Sequence, residues 1–137
     1  MKEIINTILR YNDDESWYCY GVEELADMLK AKSEIGWENR TDEIIKQNSI
    51  IIIRILEAAT VLNDDLIIDI VSELVYICSD EIIRHIFSMI GDKWAYRLSR
   101  EVLLVILSRM KSIKPDLPSN EFDQIIVERI NRYLAKK

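Results

Sequence analysis

The feature that most restricts this chain is how seldom its apolar segments are interrupted, because its 137 residues include only 3 Gly and 2 Pro. Folds built from many short strands need frequent turn residues, whereas helices joined by brief turns need few. Apolar side chains also recur at helical intervals, as at Ile4 and Ile8 near one end and Ile126 and Ile130 near the other. The sequence therefore predicts an all-α fold.

Capping and turn residues divide the chain into about seven predicted helices. They cover roughly residues 3–11, 22–32, 41–62, 66–77, 80–91, 94–113 and 120–133. Thr41 is the predicted N-cap of the longest helix, Ser79 or Asp80 precedes the fifth, and Ser119 or Asn120 precedes the last. Pro115 stops the sixth helix because proline lacks the backbone N–H that a helix interior requires.

Polar turns at 63–65, 79–81 and 91–92 recur at intervals close to one short helix. Such a rhythm is typical of stacked helical hairpins. Residues 44–112 therefore resemble helical repeats of the HEAT type, although the spacing is irregular and no repeat consensus is visible. An irregular helical bundle fits almost as well. Either architecture suits a single domain over residues 1–137.

The cysteine content and the N-terminus predict a cytoplasmic protein. Cys19 and Cys78 are the only cysteines, too few for a disulfide framework, so both are expected to be free thiols. The first residues lack the basic start and continuous apolar stretch of an export signal. The most apolar segment begins at Ile50, and Arg54 and Glu57 interrupt it well before ~20 apolar residues accumulate. We expect no membrane association.

The sequence carries no recognisable catalytic motif. His85 is the only histidine, and Glu81 four residues earlier could share its helix face, but one Glu and one His are too few to hold a metal. Gly21, Gly36 and Gly91 stand alone, so no glycine-rich phosphate loop exists. We predict no catalytic residue, no metal site and no cofactor, and we interpret His85 as a surface residue paired with Glu81.

The net charge of −6 is unevenly distributed along the chain. Residues 1–80 hold 17 acidic and 7 basic side chains, whereas residues 81–137 hold 7 acidic and 11 basic ones. The overall acidity disfavours nucleic-acid binding, because phosphate contact depends on clustered Lys and Arg. The segregation can steer a basic protein partner. Attraction between the two halves of the chain explains it equally well.

The sharpest local feature is an acidic stripe on the predicted helix that follows Asn63. Helical spacing places four acidic side chains and one tyrosine on one side of this helix, with no basic residue among them: Asp65, Asp69, Glu73, Tyr76 and Asp80. Like charges four residues apart cost about 0.2–0.5 kcal/mol per pair, so folding alone does not favour the stripe. It is either a solvated face or an interface that anchors with tyrosine and orients with charge.

A second candidate surface is the segment in which acidic residues lead directly into aromatic ones. It comprises Asp13, Asp14, Glu15, Trp17 and Tyr18, followed by Cys19 and Tyr20. The segment is predicted to be a loop or a helix start. If exposed, its rings would anchor a partner; alternatively, Trp17 and the tyrosines cap the core. Trp37 and Trp94 are predicted to be core anchors.

In its size, acidity, isoleucine-rich helices and lack of a catalytic motif, the chain resembles bacterial immunity proteins of contact-dependent inhibition and related polymorphic toxin systems. The resemblance implies a small inhibitor that occludes the active site of a basic partner such as a toxin nuclease domain. Those families share no signature motif, so no functional residue carries over. Two other functions stay open: a helical-repeat scaffold that binds a peptide, and an enzyme in which Asp65, Asp69 and Glu73 converge on a metal.

Overall fold

The computed structural model describes residues 1–34, 41–62 and 64–137, and over those residues the protein is all-α, as predicted. The described residues form eight α-helices: α1 (Lys2–Leu9), α2 (Asp14–Ser16, Trp17–Gly21 and Val22–Glu34, without a break), α3 (Thr41–Ile44), α4 (Ser49–Leu62), α5 (Asp64–Leu74), α6 (Asp80–Ser88), α7 (Arg100–Ile113) and α8 (Glu121–Ala135). A 3-10 helix, Lys93–Arg97, precedes α7. The HEAT-type arrangement stays a prediction, and Trp37 lies outside the described residues.

The two longest predicted helices are wrong, because each is divided by a capping residue. In place of one helix over 41–62, Asn48 begins a new helix: its side-chain oxygen accepts a hydrogen bond from the Ile51 N–H at 3.0 Å. Ser99 likewise begins α7, accepting from the Val102 N–H at 3.2 Å, and the segment before it forms the 3-10 helix. Apolar periodicity continues across both caps, which is why the pattern alone joined the helices.

Ser79 and Asn120 are the caps at the two positions where the sequence left a choice. The Ser79 hydroxyl accepts from the Ile82 N–H at 3.4 Å and opens α6. The Asn120 side chain accepts from the Asp123 N–H at 2.8 Å and opens α8. Both residues have extended backbone, as expected of N-caps.

Contacts divide the chain into two compact units, Met1–Ile70 and Val71–Lys137, which we call the N-terminal and the C-terminal unit. In the N-terminal unit α2 packs on α4 and on α1, and its buried core includes Ile4, Ile8, Trp17, Leu25, Leu29, Ile55 and Leu56. In the C-terminal unit α7 packs on α6 and on α8, and its buried core includes Ile83, Ile86, Trp94, Leu103, Ile106 and Ile130. Trp94 is thus a core anchor, as predicted. The single domain over residues 1–137 stays a prediction.

The two units carry different net charges. The N-terminal unit holds 15 acidic and 7 basic side chains, a net charge of −8. The C-terminal unit holds 9 acidic and 11 basic side chains, a net charge of +2. Among the described residues, none of the helices is both long and apolar enough to cross a bilayer.

Candidate partner-binding surfaces

The segment in which acids lead into aromatics forms the first two turns of α2. Asp13 is its N-cap, and the Ser16 N–H donates to the Asp13 carboxylate at 2.7 Å, which lowers the pKa of that carboxyl. The next turn, Trp17–Gly21, is π-helical, because the Val22 N–H donates to the carbonyl of Trp17 five residues earlier. Single π-helical turns within α-helices are rare and occur frequently at functional sites. The predicted helix start is therefore confirmed, with an added π turn.

Trp17 is fully buried beneath this turn, so its predicted role in partner contact is wrong and the alternative, that it caps the core, is correct. Its indole Nε1 donates to Glu57 at 3.3 Å. The guanidinium carbon of Arg54 lies 4.8 Å from the ring centroid, and Tyr11 meets the ring edge-on at 6.2 Å between centroids. A buried tryptophan with its N–H bonded and a cation over its face is a rigid anchor.

Arg54 joins the end of α1 to the start of α2 from inside the unit, where it is only 9% exposed. Its Nη1 donates to the backbone carbonyl of Tyr11 at 2.8 Å and to that of Ile8 at 3.3 Å. The Ile8 carbonyl, in the last turn of α1, also accepts from the Tyr11 N–H at 3.2 Å, whereas the Tyr11 carbonyl lies just beyond the end of the helix. Nη2 of Arg54 also lies 3.6 Å from the Asp14 carboxylate. The sequence assigned Arg54 no such role.

Gly21 is the second structural residue that the sequence did not identify. A Cβ atom at this position would lie 2.3 Å from the nearest ring atom of Trp17 and 2.9 Å from that of Tyr11. Distances this short are incompatible with any side chain unless the aromatic rings shift. The glycine is therefore required for space, and it lets the π turn lie directly against the two rings.

The outer side of the same turn carries the exposed groups. Tyr18 is 60% exposed and Tyr20 is 70% exposed, next to three exposed carboxylates. We call this set the acid–tyrosine surface: Asp13, Asp14, Glu15, Tyr18 and Tyr20. A hydrogen bond with Glu57, together with partial burial, raises the pKa of Tyr18, so its hydroxyl stays protonated near neutral pH. The structure thus places most of this predicted site in one short surface segment.

The predicted acidic stripe is only partly a continuous helix face. Asp65, Asp69 and Glu73 are exposed on α5, where their spacing of four residues places them on the same side of the helix. The division between the two units falls inside α5, after Ile70. Asp65 and Asp69 therefore belong to the N-terminal unit and Glu73 to the C-terminal unit.

Tyr76 and Asp80 lie beyond the end of α5, within the C-terminal unit. Tyr76 is half exposed, and both its partial burial and a hydrogen bond with Glu101 raise its pKa. The Asp80 carboxylate lies 3.2 Å from Nη2 of Arg109, so the expectation that no basic group relieves the stripe is wrong at this residue. Nη1 of Arg109 also donates to the carbonyl of Val75 at 3.1 Å, which ties the turn after α5 to α7.

Both cysteines are free thiols, as predicted. Cys19 is exposed on the π turn, whereas Cys78 is half-buried, with Nη1 of Arg109 at 3.4 Å from its sulfur. Burial raises the pKa of the Cys78 thiol in spite of the nearby cation, so the thiol remains protonated near neutral pH. A protonated, half-buried thiol fits the predicted packing role.

His85 is half-buried on α6, with exposed Glu81 one turn earlier. Their pairing stays a prediction. Within the described part of the chain, no three His, Cys, Asp or Glu side chains are grouped so that they could hold a metal ion.

Comparison of the chain with models of protein families, with curated proteins and with solved structures found no match.

Proposed function

We propose that this protein is a small cytoplasmic binding module, without catalytic activity, that inhibits a basic protein partner by covering its active site. The nuclease domain of a toxin is the proposed class of partner, in keeping with the resemblance to bacterial immunity proteins. The observation that carries the proposal is the acid–tyrosine surface, where two exposed tyrosines stand beside three carboxylates on a turn that is anchored from beneath.

The composition of this surface suits protein recognition. Tyrosine is enriched at the centres of interfaces, because it supplies a large contact area with few rotatable bonds. Trp17, Gly21 and Arg54 hold the backbone beneath Tyr18 and Tyr20. A surface that is ordered before binding loses little conformational entropy when it binds.

The proposed mechanism is occlusion, in which carboxylates occupy the cations that a nuclease uses to hold phosphates. Asp13, Asp14 and Glu15 would pair with Lys and Arg side chains of the partner. The net charge of −8 on the N-terminal unit would steer the encounter, and association would be fast and salt-dependent. Inhibition of this kind needs no chemical step in the chain itself.

The test uses the basic protein encoded in the reading frame next to this one, in binding and nuclease assays. We expect tight binding at low salt, slower association at high salt, and loss of nuclease activity in proportion to complex formed. A wild-type protein that neither binds nor inhibits this partner at low salt would show that the proposed function is wrong.

Two sets of substitutions determine whether the partner binds the acid–tyrosine surface or the acidic stripe. Replacement of two exposed residues, Glu15→Lys with Tyr20→Ala, should weaken binding by about thirtyfold or more if the acid–tyrosine surface is the hot spot. The matched comparison is charge reversal on α5, with Asp65, Asp69 and Glu73 all replaced by Lys. If only the second set weakens binding, the interface lies on the acidic stripe and our assignment of the surface is wrong.

A further inference from the structure

A cavity of about 570 Å³ opens in the C-terminal unit beside the 3-10 helix Lys93–Arg97 and the end of α8. Gly91 contributes to its wall, and the other lining residues are four cations and two tyrosines: Lys93, Tyr96, Arg129, Tyr133, Lys136 and Lys137. No acidic side chain is among these lining residues. The cavity is therefore cationic and aromatic, in a protein whose net charge is −6.

Two of the cations are held in place by the backbone. Nη1 of Arg129 donates to the carbonyl of Gly91 at 2.9 Å, and Nζ of Lys137 donates to the carbonyl of Tyr96 at 2.7 Å. The first bond joins the interior of α8 to the turn at Gly91, the second joins the residues after α8 to the 3-10 helix, and together they fix both charges at the cavity. Neutral carbonyls position the cations without cancelling their charge.

The cations are more numerous than the fold alone requires. Lys136 and Lys137 follow the end of α8, where positive charge complements the helix dipole. The helix dipole does not explain Lys93, which lies in the 3-10 helix, or Arg129, which lies in the interior of α8. Within the described ranges, none of these four residues forms an ion pair. Like charges around one cavity repel one another, and an anion would relieve that repulsion.

Arg129 also has a donor that its own chain does not use. Its Nε is shielded from solvent and has no hydrogen-bond acceptor among the described residues. A buried donor without an acceptor costs free energy, so hydrogen bonding within the fold alone does not explain the position of Arg129. Guanidinium groups bind phosphate oxygens through paired N–H donors.

We infer that the cavity binds a nucleoside di- or triphosphate, a function independent of the proposed inhibition. Lys93, Arg129 and Lys136 hold the phosphates, and the rings of Tyr96 and Tyr133 contact the base. The volume lies in the range of small-molecule sites and exceeds what a single phosphate needs. Aromatic side chains stack on any base, because every base presents a π face. Side chains here replace the glycine-rich loop that the sequence lacks.

Calorimetric titration of the full chain with ATP, pyrophosphate and adenosine at low salt tests the inference. We expect ATP to bind most tightly, with a Kd below about 1 mM, pyrophosphate to bind more weakly, and adenosine to give no measurable binding. Absence of any ATP binding at that concentration would overturn the inference. Adenosine that binds as well as ATP would overturn it too, because the cations would then have no role.

Substitutions inside and outside the cavity show where ATP binds. Replacement of Lys93 and Lys136 by Gln should weaken both ATP and pyrophosphate binding by about tenfold, since charge-assisted hydrogen bonds are lost. Tyr96→Ala should weaken ATP binding severalfold and leave pyrophosphate binding unchanged. Lys111→Gln, an exposed cation on α7 outside the cavity, is the matched control and should change neither.

Three variant results would contradict the inference. Equal weakening by Lys111→Gln would indicate diffuse attraction to a basic surface instead of a site. ATP binding that is insensitive to the replacement of Lys93 and Lys136 would place the ligand elsewhere. Insensitivity of ATP binding to Tyr96→Ala would overturn the nucleoside assignment and leave a site for inorganic polyphosphate. Circular dichroism of each variant verifies that its fold is intact.

Discussion

Among the residues that the structure describes, each compact unit buries one charged side chain, and in each unit it is opposite in sign to the net charge. The N-terminal unit, with a net charge of −8, buries Arg54, which two carbonyls and the Trp17 ring hold in place. The C-terminal unit, with a net charge of +2, buries Asp123, which is 4% exposed. The Asp123 carboxylate accepts from Lys114 at 2.8 Å and from the N–H and hydroxyl of Ser119 at 3.2 and 2.8 Å.

Because the buried charge and the net charge of each unit have opposite signs, the charged residues that stabilise the fold are different from those exposed at the surface. A buried ion is favoured by surroundings of opposite sign, and hydrogen bonds replace the water that it loses. The excess charge of each unit then remains at the surface, as carboxylates beside Tyr18 and Tyr20 in one unit and as cations around Arg129 in the other. Stability and binding therefore depend on different charged residues, and substitutions can separate them.

Substitution of Arg54 is expected to lower stability more than any other change considered. Arg54→Met should lower the free energy of unfolding by about 3 kcal/mol, because the Tyr11 carbonyl loses its arginine donor, the Ile8 carbonyl keeps only the Tyr11 N–H, and the Trp17 ring loses its cation. Urea unfolding measures the change. Arg84→Met, at an exposed arginine of α6, is the control and should change stability by less than about 0.5 kcal/mol. Similar losses for both variants would remove the distinction between buried and surface charge.

The same variant tests the single-domain prediction through hydrogen exchange. If residues 1–137 unfold cooperatively, Arg54→Met should lower the protection of the slowest amides in both units by the same free energy. Reduced protection confined to residues 1–70 would show that the two units unfold separately.

Gly21 and Gly91 form a matched pair, one in each unit. Gly21→Ala should cost about 2 kcal/mol, because the new methyl group meets the rings of Trp17 and Tyr11. Gly91→Ala should change stability by less than about 0.5 kcal/mol, since nothing lies within 4 Å of the added atom. Thermal unfolding compares the two. If Gly21→Ala is as mild as Gly91→Ala, the π turn is not held rigidly against the rings, and the case for a preordered surface fails.

The buried charges should also differ in their response to pH. Asp123→Ala should cost about 1–2 kcal/mol at neutral pH. The hydrogen bond from Lys114 contributes most to lowering the pKa of Asp123, and the hydrogen bonds from Ser119 lower it further. A carboxyl with a lowered pKa stabilises the fold fully above its ordinary pKa of about 4 and loses that stabilisation as the pH falls through the lowered value.

Unfolding at neutral pH and near pH 3 provides the comparison. The stability difference between wild type and Asp123→Ala should shrink toward the acid end. The deficit of Arg54→Met should stay nearly unchanged, because a guanidinium does not titrate in this range. Deficits that shrink in parallel would show that the two buried charges are not held independently.

The smallest expected effect concerns the acidic stripe. Glu73→Gln should raise stability by about 0.5 kcal/mol, since Glu73 lies near the negative C-terminal end of α5 with Asp69 one turn earlier. Glu121→Gln, in the first turn of α8, should have the opposite sign because negative charge is favourable there. Chemical unfolding of both variants measures the difference. A loss of stability in Glu73→Gln would mean that the fold itself requires this carboxylate, which removes the reason to expect a partner at the stripe.

Local pattern was sufficient for most helices and for several caps. Ser79 and Asn120 could be identified because a cap bonds to an N–H only three residues away. The same logic missed Asn48 and Ser99, where apolar side chains continue at helical spacing through the break. Periodicity reports which face of the chain is apolar, and it cannot report that the axis changes direction.

The sequence by itself determined the all-α class, the free thiols and the acidic N-terminal region, since these follow from composition and from contacts within a few residues. Only the tertiary structure decided that Trp17 is buried while Tyr18 is exposed. It also placed Arg54 over the Trp17 ring, 37 positions along the chain, and gathered the cations around Arg129 from separate elements. Burial depends on which helix faces pack together. Residues that are distant in sequence but in contact in the fold produce no pattern in the local spacing of side chains.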